Sequence, residues 1–175
     1  PAAITRLLAD DDIARSTEAA LHFLAYRARS EQEVRDRLQR GAFSPEAIDA
    51  TIVKLNEWRY LDDADFARRW VESRARGKPR GQRLLQQELR QKGIDAETSK
   101  QVIAEADLDE VAAATELARK RLSTMAGEDP AAIKRKIGAY LARRGYGFDV
   151  VRQALEQATG EPVEEAEPAD QESST

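Results

Sequence analysis

The sequence predicts an all-α protein: three tandem three-helix repeats forming an elongated array that is open to curvature. Three observations predict it. Apolar residues recur at helical spacing nearly throughout the 175 residues, and no stretch alternates long enough to demand a strand. A helix that ends on a glycine-containing turn and restarts at once occurs three times, at "LQRGAFSPEAI", "LRQKGIDAET" and "LARRGYGFDVV". Setting Leu38, Leu89 and Leu141 in register gives a period of 51 and then 52 residues, longer than the common helical-pair repeats of about 34 to 47. In that register Val34, Leu85 and Ile137 align before the anchor leucine, Phe43, Ile94 and Tyr146 after it, and Ile52, Ile103 and Leu155 in the next helix. The copies differ in two respects. The glycine is Gly93 and Gly145 in the later copies but Gly41, one place earlier, in the first, and Ser99 stands where Ile48 and Val151 supply an apolar side chain.

Residues 1–15 read as an N-terminal segment, ordered in part at most, in which Ile4, Leu7 and Leu8 offer one helical turn to the body. Repeat 1 follows over 16–61, repeat 2 over 62–108 and repeat 3 over 109–159. Helices are expected over 17–28, 31–40, 45–58, 63–76, 80–92, 96–106, 109–124, 130–144 and 147–159. Their starts carry recognisable signals: a capping-box pattern "SEQE" at Ser30, a cap before proline at Ser44-Pro45 and Asp129-Pro130, and Asp62 ahead of "DADFARRWV". No such helix is stable alone, so each repeat must close its helices on one another, with Phe43, Ile94 or Tyr146 plugging the junction. The last segment, 160–175, reads as an acidic disordered tail, because "EPVEEAEPADQE" has too little apolar surface to offset chain entropy. Its six acids leave +2 on the rest of a chain whose formal charge is −4. Such a tail is placed to compete electrostatically for a basic face.

Composition removes several chemistries. Without cysteine there is no disulfide, thiolate nucleophile or cysteine-bound zinc. His22 lies in the apolar stretch "AALHFLAYR" without a partner constellation, so it reads as a packed or surface residue rather than a general base. The acidic clusters at Asp10–Asp12 and at Asp62, Asp63 and Asp65 have the oxygens for a hard cation, but the second is better explained as a helix N-terminus. "GKPRG" lacks the spacing of a phosphate loop. No cofactor, metal or catalytic residue is assigned. No apolar run approaches a membrane span and no signal-peptide pattern occurs, so a cytoplasmic monomer is expected.

Positive charge is clustered. "RARGKPRGQR" places Arg74, Arg76, Lys78, Arg80 and Arg83 together with no acid among them, and repeat 3 adds Lys134, Arg135, Lys136, Arg143 and Arg144 around its second helix. A charge run is usually a solvated face; the alternative is a footprint for a polyanion or an acidic protein surface. Arginine suits either, since its planar fork engages phosphate or carboxylate through two hydrogen bonds. Trp58, Tyr60, Phe66 and Trp70 fall where one repeat meets the next and are expected to form inter-repeat core rather than a base-stacking platform.

Taken together, "LAYRARSEQEVRDRL", "LNEWRYLDDADFARRWVESR", "RLLQQELRQKGI" and "YLARRGY" resemble the RecX family of recombination regulators, over about residues 16–159. The resemblance implies three tandem three-helix repeats and a non-enzymatic protein. It also implies binding to the RecA recombinase filament on single-stranded DNA, with restraint of filament growth, ATP hydrolysis, strand exchange and co-protease activity. It carries no contact residues, so the ten basic positions are candidates for filament or direct single- or double-stranded DNA contact on charge alone. Two alternatives remain open. A helix-turn-helix DNA binder would need polar residues opening each third helix, where this chain has "PEAID", "AETSK" and "FDVVR". A generic helical scaffold would show no dependence on a recombinase.

Overall fold

The protein is seen in a computed structural model that describes residues 2–160; the acidic segment from Glu161 onward lies outside the described residues. Among the described residues there are nine helices and no strand. The first triplet is α1 (Ala2–Leu24), α2 (Glu31–Arg40) and α3 (Pro45–Glu57). The second is α4 (Asp63–Gly77), α5 (Gln82–Gln91) and α6 (Ala96–Glu105), and the third is α7 (Glu110–Leu122), α8 (Pro130–Arg143) and α9 (Phe148–Thr159). Each helix packs on the other two of its triplet. The first two triplets make one compact unit, ending at Leu108, and the third makes another.

The helices begin where their caps dictate. Ser30, Ser44, Asp62, Asp95, Asp109 and Asp129 each accept a hydrogen bond from a backbone N–H in the first turn that follows, filling donors the helix leaves unpaired. The capping box at Ser30 is half made. Glu33 N donates to Ser30 Oγ at 3.2 Å, but the Glu33 carboxylate instead accepts from Arg27 Nη2 at 3.1 Å and Lys92 Nζ at 2.7 Å. Burial pushes that carboxyl up, yet the two cations outweigh it and hold its pKa below the ordinary value.

The largest departure from expectation is α1, which runs from Ala2 to Leu24 instead of over 17–28. No glycine or proline interrupts it. Ser16 and Thr17, inside the helix, donate back to the Ile13 carbonyl (3.0 and 2.7 Å) and meet Thr51 Oγ1 of α3 (2.6 and 3.2 Å). One turn earlier, Asp12 accepts from Ser44 N and Ser44 Oγ at 3.0 and 2.6 Å, and these bonds hold its pKa below the usual carboxylate range. Ile4, Leu7 and Leu8 remain 65%, 70% and 66% exposed, so that turn does not pack on the body.

Each triplet has its own apolar core, and the register residues form it. Val34, Leu38, Leu85, Leu89, Ile94, Ile137, Leu141 and Tyr146 are buried, as are Ile52, Ile103 and Leu155, while Phe43 is partly buried. The turn between the second and third helices is the same in all three copies. The amide five residues after the anchor leucine donates to its carbonyl, at 3.5 Å for Phe43, 3.0 Å for Ile94 and 3.3 Å for Tyr146, the bond that closes a Schellman turn. Its left-handed residue is Ala42 (φ 59°), Gly93 (φ 81°) or Gly145 (φ 88°). Gly41, at φ −78°, is therefore the ordinary C-cap before the turn, and an alanine carries the strained position. Gly93 answers a second need: a Cβ there would stand 2.4 Å from Gln32 Cβ, where the second triplet meets α2. The same junction is tied by Glu31 N donating to Asp63 Oδ1 at 2.9 Å and by the Lys92–Glu33 pair.

Candidate partner-binding surface

The basic run of the second repeat divides in two. Its inner members converge on Glu88 of α5, a carboxylate only 7% exposed. Trp70 Nε1 and Arg74 Nε donate to Glu88 Oε2 at 2.8 and 2.9 Å, and Arg80 pairs with Oε1. The Arg74 guanidinium also lies 4.3 Å from the Trp70 ring centre, and the Lys92 ammonium 5.0 Å from it. Arg74 and Arg80 thus serve an internal carboxylate. Its outer members, Arg76, Lys78 and Arg83, are exposed, and Arg76 makes only a loose pair with exposed Glu72 at 3.4 Å.

Two further cations join this outer set, Arg90 on α5 and Lys100 on α6, both exposed. With Arg83 they surround a pocket of about 260 Å³ between the two helices, whose lining includes Gln86, Gln87 and Ser99 and no carboxylate. Sequence reasoning missed Arg90, Lys100 and Ser99 as a group. The available signal was Ser99 itself, a polar residue at a register position that is apolar, as Ile48 and Val151, in the other copies.

In the third repeat the positive residues are also unequal. Arg135, Lys136 and Arg143 are exposed and Lys134 is half-buried. Lys136 Nζ donates to Glu128 Oε2 at 2.5 Å. Arg144 Nη2 donates to Tyr140 Oη at 3.0 Å and lies over its ring, which Arg121 also approaches at 5.2 Å.

The aromatic expectation requires correction. Phe66 and Trp70 do stack within the second core, with ring centres 5.9 Å apart. Trp58 and Tyr60, however, are 51% and 57% exposed and meet edge to face at 6.5 Å. Leu61 takes the core position instead, because α3 ends at Glu57 and the left-handed Arg59 turns the flanking rings outward. His22 is a surface residue against Tyr26, ring centres 5.3 Å apart. The "LDDADF" carboxylates are occupied as a helix start: Asp62 caps, Asp63 accepts from Glu31 N, and Asp65 accepts from Arg69 Nε at 2.7 Å. No helix of the described residues is long and apolar enough to cross a membrane.

Comparison with known proteins matches this architecture domain by domain. Three family models fit in chain order: RecX, first three-helix domain, over residues 17–55; the second over 62–103; and the third over 108–155. Regulatory protein RecX of Prosthecochloris aestuarii is 33% identical over 150 residues, covering 86% of this chain and 97% of that protein. Regulatory protein RecX of Bacillus velezensis is 35% identical over 161 residues, covering 90% of this chain; the chain spans 60% of that relative's length. The crystal structure of RecX from Lactobacillus salivarius shares the fold, with a TM-score of 0.78 at 24% identity over 86% of this chain and 98% of that one. With three domains matched in order and a relative matched almost end to end, the chain belongs to the RecX family of regulatory proteins.

Proposed function

We propose that this chain binds the filament that the RecA recombinase forms on single-stranded DNA. There it restrains filament growth, ATP hydrolysis, strand exchange and co-protease activity, by contact rather than by catalysis. Membership of the RecX family through all three domains carries the reading, and the exposed cations of the second and third repeats support it. Arg76, Lys78 and Arg83 are the proposed contacts in the second repeat, with Arg135, Lys136 and Arg143 in the third. Arg74, Arg80 and Arg144 hold the scaffold beneath them. The proposed setting is the cytoplasm and the proposed state a monomer. A helix-turn-helix reading is disfavoured because Glu46, Glu97 and Asp149 occupy the first turns of α3, α6 and α9, where they would repel the phosphates beside a recognition helix.

Filament co-sedimentation tests the contact set. An Arg76→Glu/Lys78→Glu/Arg83→Glu variant should unfold at the wild-type temperature and bind the filament at least about tenfold more weakly, or about 1.4 kcal/mol. Undiminished binding by the folded variant would move the contact elsewhere.

A further inference from the structure

We infer that the pocket between α5 and α6 binds a phosphate group, with Arg83, Arg90 and Lys100 supplying charge and Ser99 a hydroxyl donor. The inference goes beyond the proposed filament contact. It shares Arg83 with that contact but concerns this chain alone with a phosphate.

Ser99 is the observation that points to a ligand. It is 3% exposed, and its Oγ has no hydrogen-bond partner among the described residues. A serine inside a helix can bond back to the carbonyl one turn earlier, and Ser99 does not. Nor does packing need the hydroxyl, because Ile48 fills the matching place in the first repeat and is buried there. A buried hydroxyl left unmade is costly, and a ligand that accepts from it removes that cost.

The charge around Ser99 selects an anion. Among the described residues no ion pair engages Arg83, Arg90 or Lys100. Of the nearby acids, Asp95 accepts from Thr98 N at 2.9 Å and Thr98 Oγ1 at 2.6 Å, Glu88 takes Trp70, Arg74 and Arg80, and Glu97, in the first turn of α6, is exposed and does not line the pocket. The other copies lack this combination. In register, Gln39 and Ala142 replace Arg90. Asp49 replaces Lys100 in the first repeat and pairs with Arg35 at 2.6 Å, and Arg152 replaces it in the third and pairs with Glu156 at 3.2 Å.

Several donors from different directions suit a tetrahedral oxyanion with acceptors on every side, whereas a planar carboxylate is satisfied by one guanidinium fork. The amides of Gln86 and Gln87 and the opening of α6 at Ala96 add donors at the same place. Because Ser99 Oγ is buried, the anion reaches it as the exposed Arg83, Gln86, Gln87 and Arg90 side chains rearrange, which such side chains do in picoseconds to nanoseconds. The phosphate can come from a nucleic-acid strand or from free phosphate, and the test separates the two.

The full chain, without recombinase, is titrated into a labelled oligothymidylate across a salt series, and thermal unfolding is followed with inorganic phosphate and pyrophosphate. Arg90→Gln/Lys100→Gln should weaken oligonucleotide binding at least about tenfold and reduce the salt slope by about 0.7, the value for one single-strand phosphate. Ser99→Ala should weaken binding about threefold without lowering the unfolding temperature, since no bond is lost in the free protein. If phosphate or pyrophosphate stabilises the wild type but not the double variant, while oligonucleotide affinity is equal for both, the pocket holds free phosphate. If folded variants match the wild type in both arms, the phosphate pocket is overturned. Co-sedimentation of the same variants with filament then shows whether the recombinase contact survives that failure.

Discussion

Tyr146 plugs the third repeat with a phenol whose oxygen is buried and has no partner among the described residues. Burial pushes its pKa up to about 12, with repulsion from Glu110 adding to it. Since no bond is lost and an unsatisfied polar atom is removed, Tyr146→Phe should unfold at the wild-type temperature or above it. Ala42 is a second residue whose environment works against it. A left-handed alanine costs about 1–2 kcal/mol, partly offset in a glycine variant by about 0.4–1 kcal/mol of unfolded-chain entropy. Ala42→Gly should therefore stabilise by about 0.5 kcal/mol, read from urea midpoints. Gly93→Ala should go the other way by more than about 1 kcal/mol, because it adds a clash with Gln32 to the same strain.

Between elements, buried polar contacts decide what a charged run means. Glu88 on α5 holds the end of α4 through Trp70 and Arg74, so Glu88→Ala should cost about 3 kcal/mol by stranding two half-buried guanidinium groups. By the same reasoning, Arg74→Ala or Arg80→Ala should lower the unfolding temperature, and Lys78→Ala or Arg83→Ala should not. The sequence shows all five cations alike, because nothing in a charge run marks which members face a carboxylate from another helix. Caps were legible, since Ser44-Pro45 and Asp129-Pro130 act through their own next residues. The length of α1 was not, because its extension is held by Asp12 on Ser44 and Ser16 on Thr51, contacts distant in sequence.

At the α2–α4 junction, burial raises the Asp63 pKa, reinforced by the charges of Glu31, Asp62 and Asp95 and opposed by the bond from Glu31 N. The folded state thus holds that proton more tightly than the unfolded chain. Its contribution is fully present below the ordinary carboxyl pKa and is lost as pH rises through the raised value. Asp63→Asn keeps an acceptor for Glu31 N, so it should be at least as stable as wild type at neutral pH, with any advantage vanishing in acid.

Across the whole molecule, the repeat was legible because its anchors are its core. Leu38, Leu89 and Leu141 are each 1% exposed or less, and a residue that must be buried in every copy leaves a period in the sequence. The surface left no such trace. Trp58 and Tyr60 sit at a repeat boundary yet face solvent, and Arg90 and Lys100 come together only when α5 packs on α6. The central claim concerns the partner, and ATP hydrolysis by RecA on single-stranded DNA tests it most directly. Wild-type chain at submicromolar concentration should lower the rate in a dose-dependent way, and the Arg76→Glu/Lys78→Glu/Arg83→Glu variant should need at least about tenfold more for the same effect. A rate unchanged by folded wild-type chain, up to a concentration matching the recombinase, would contradict the account.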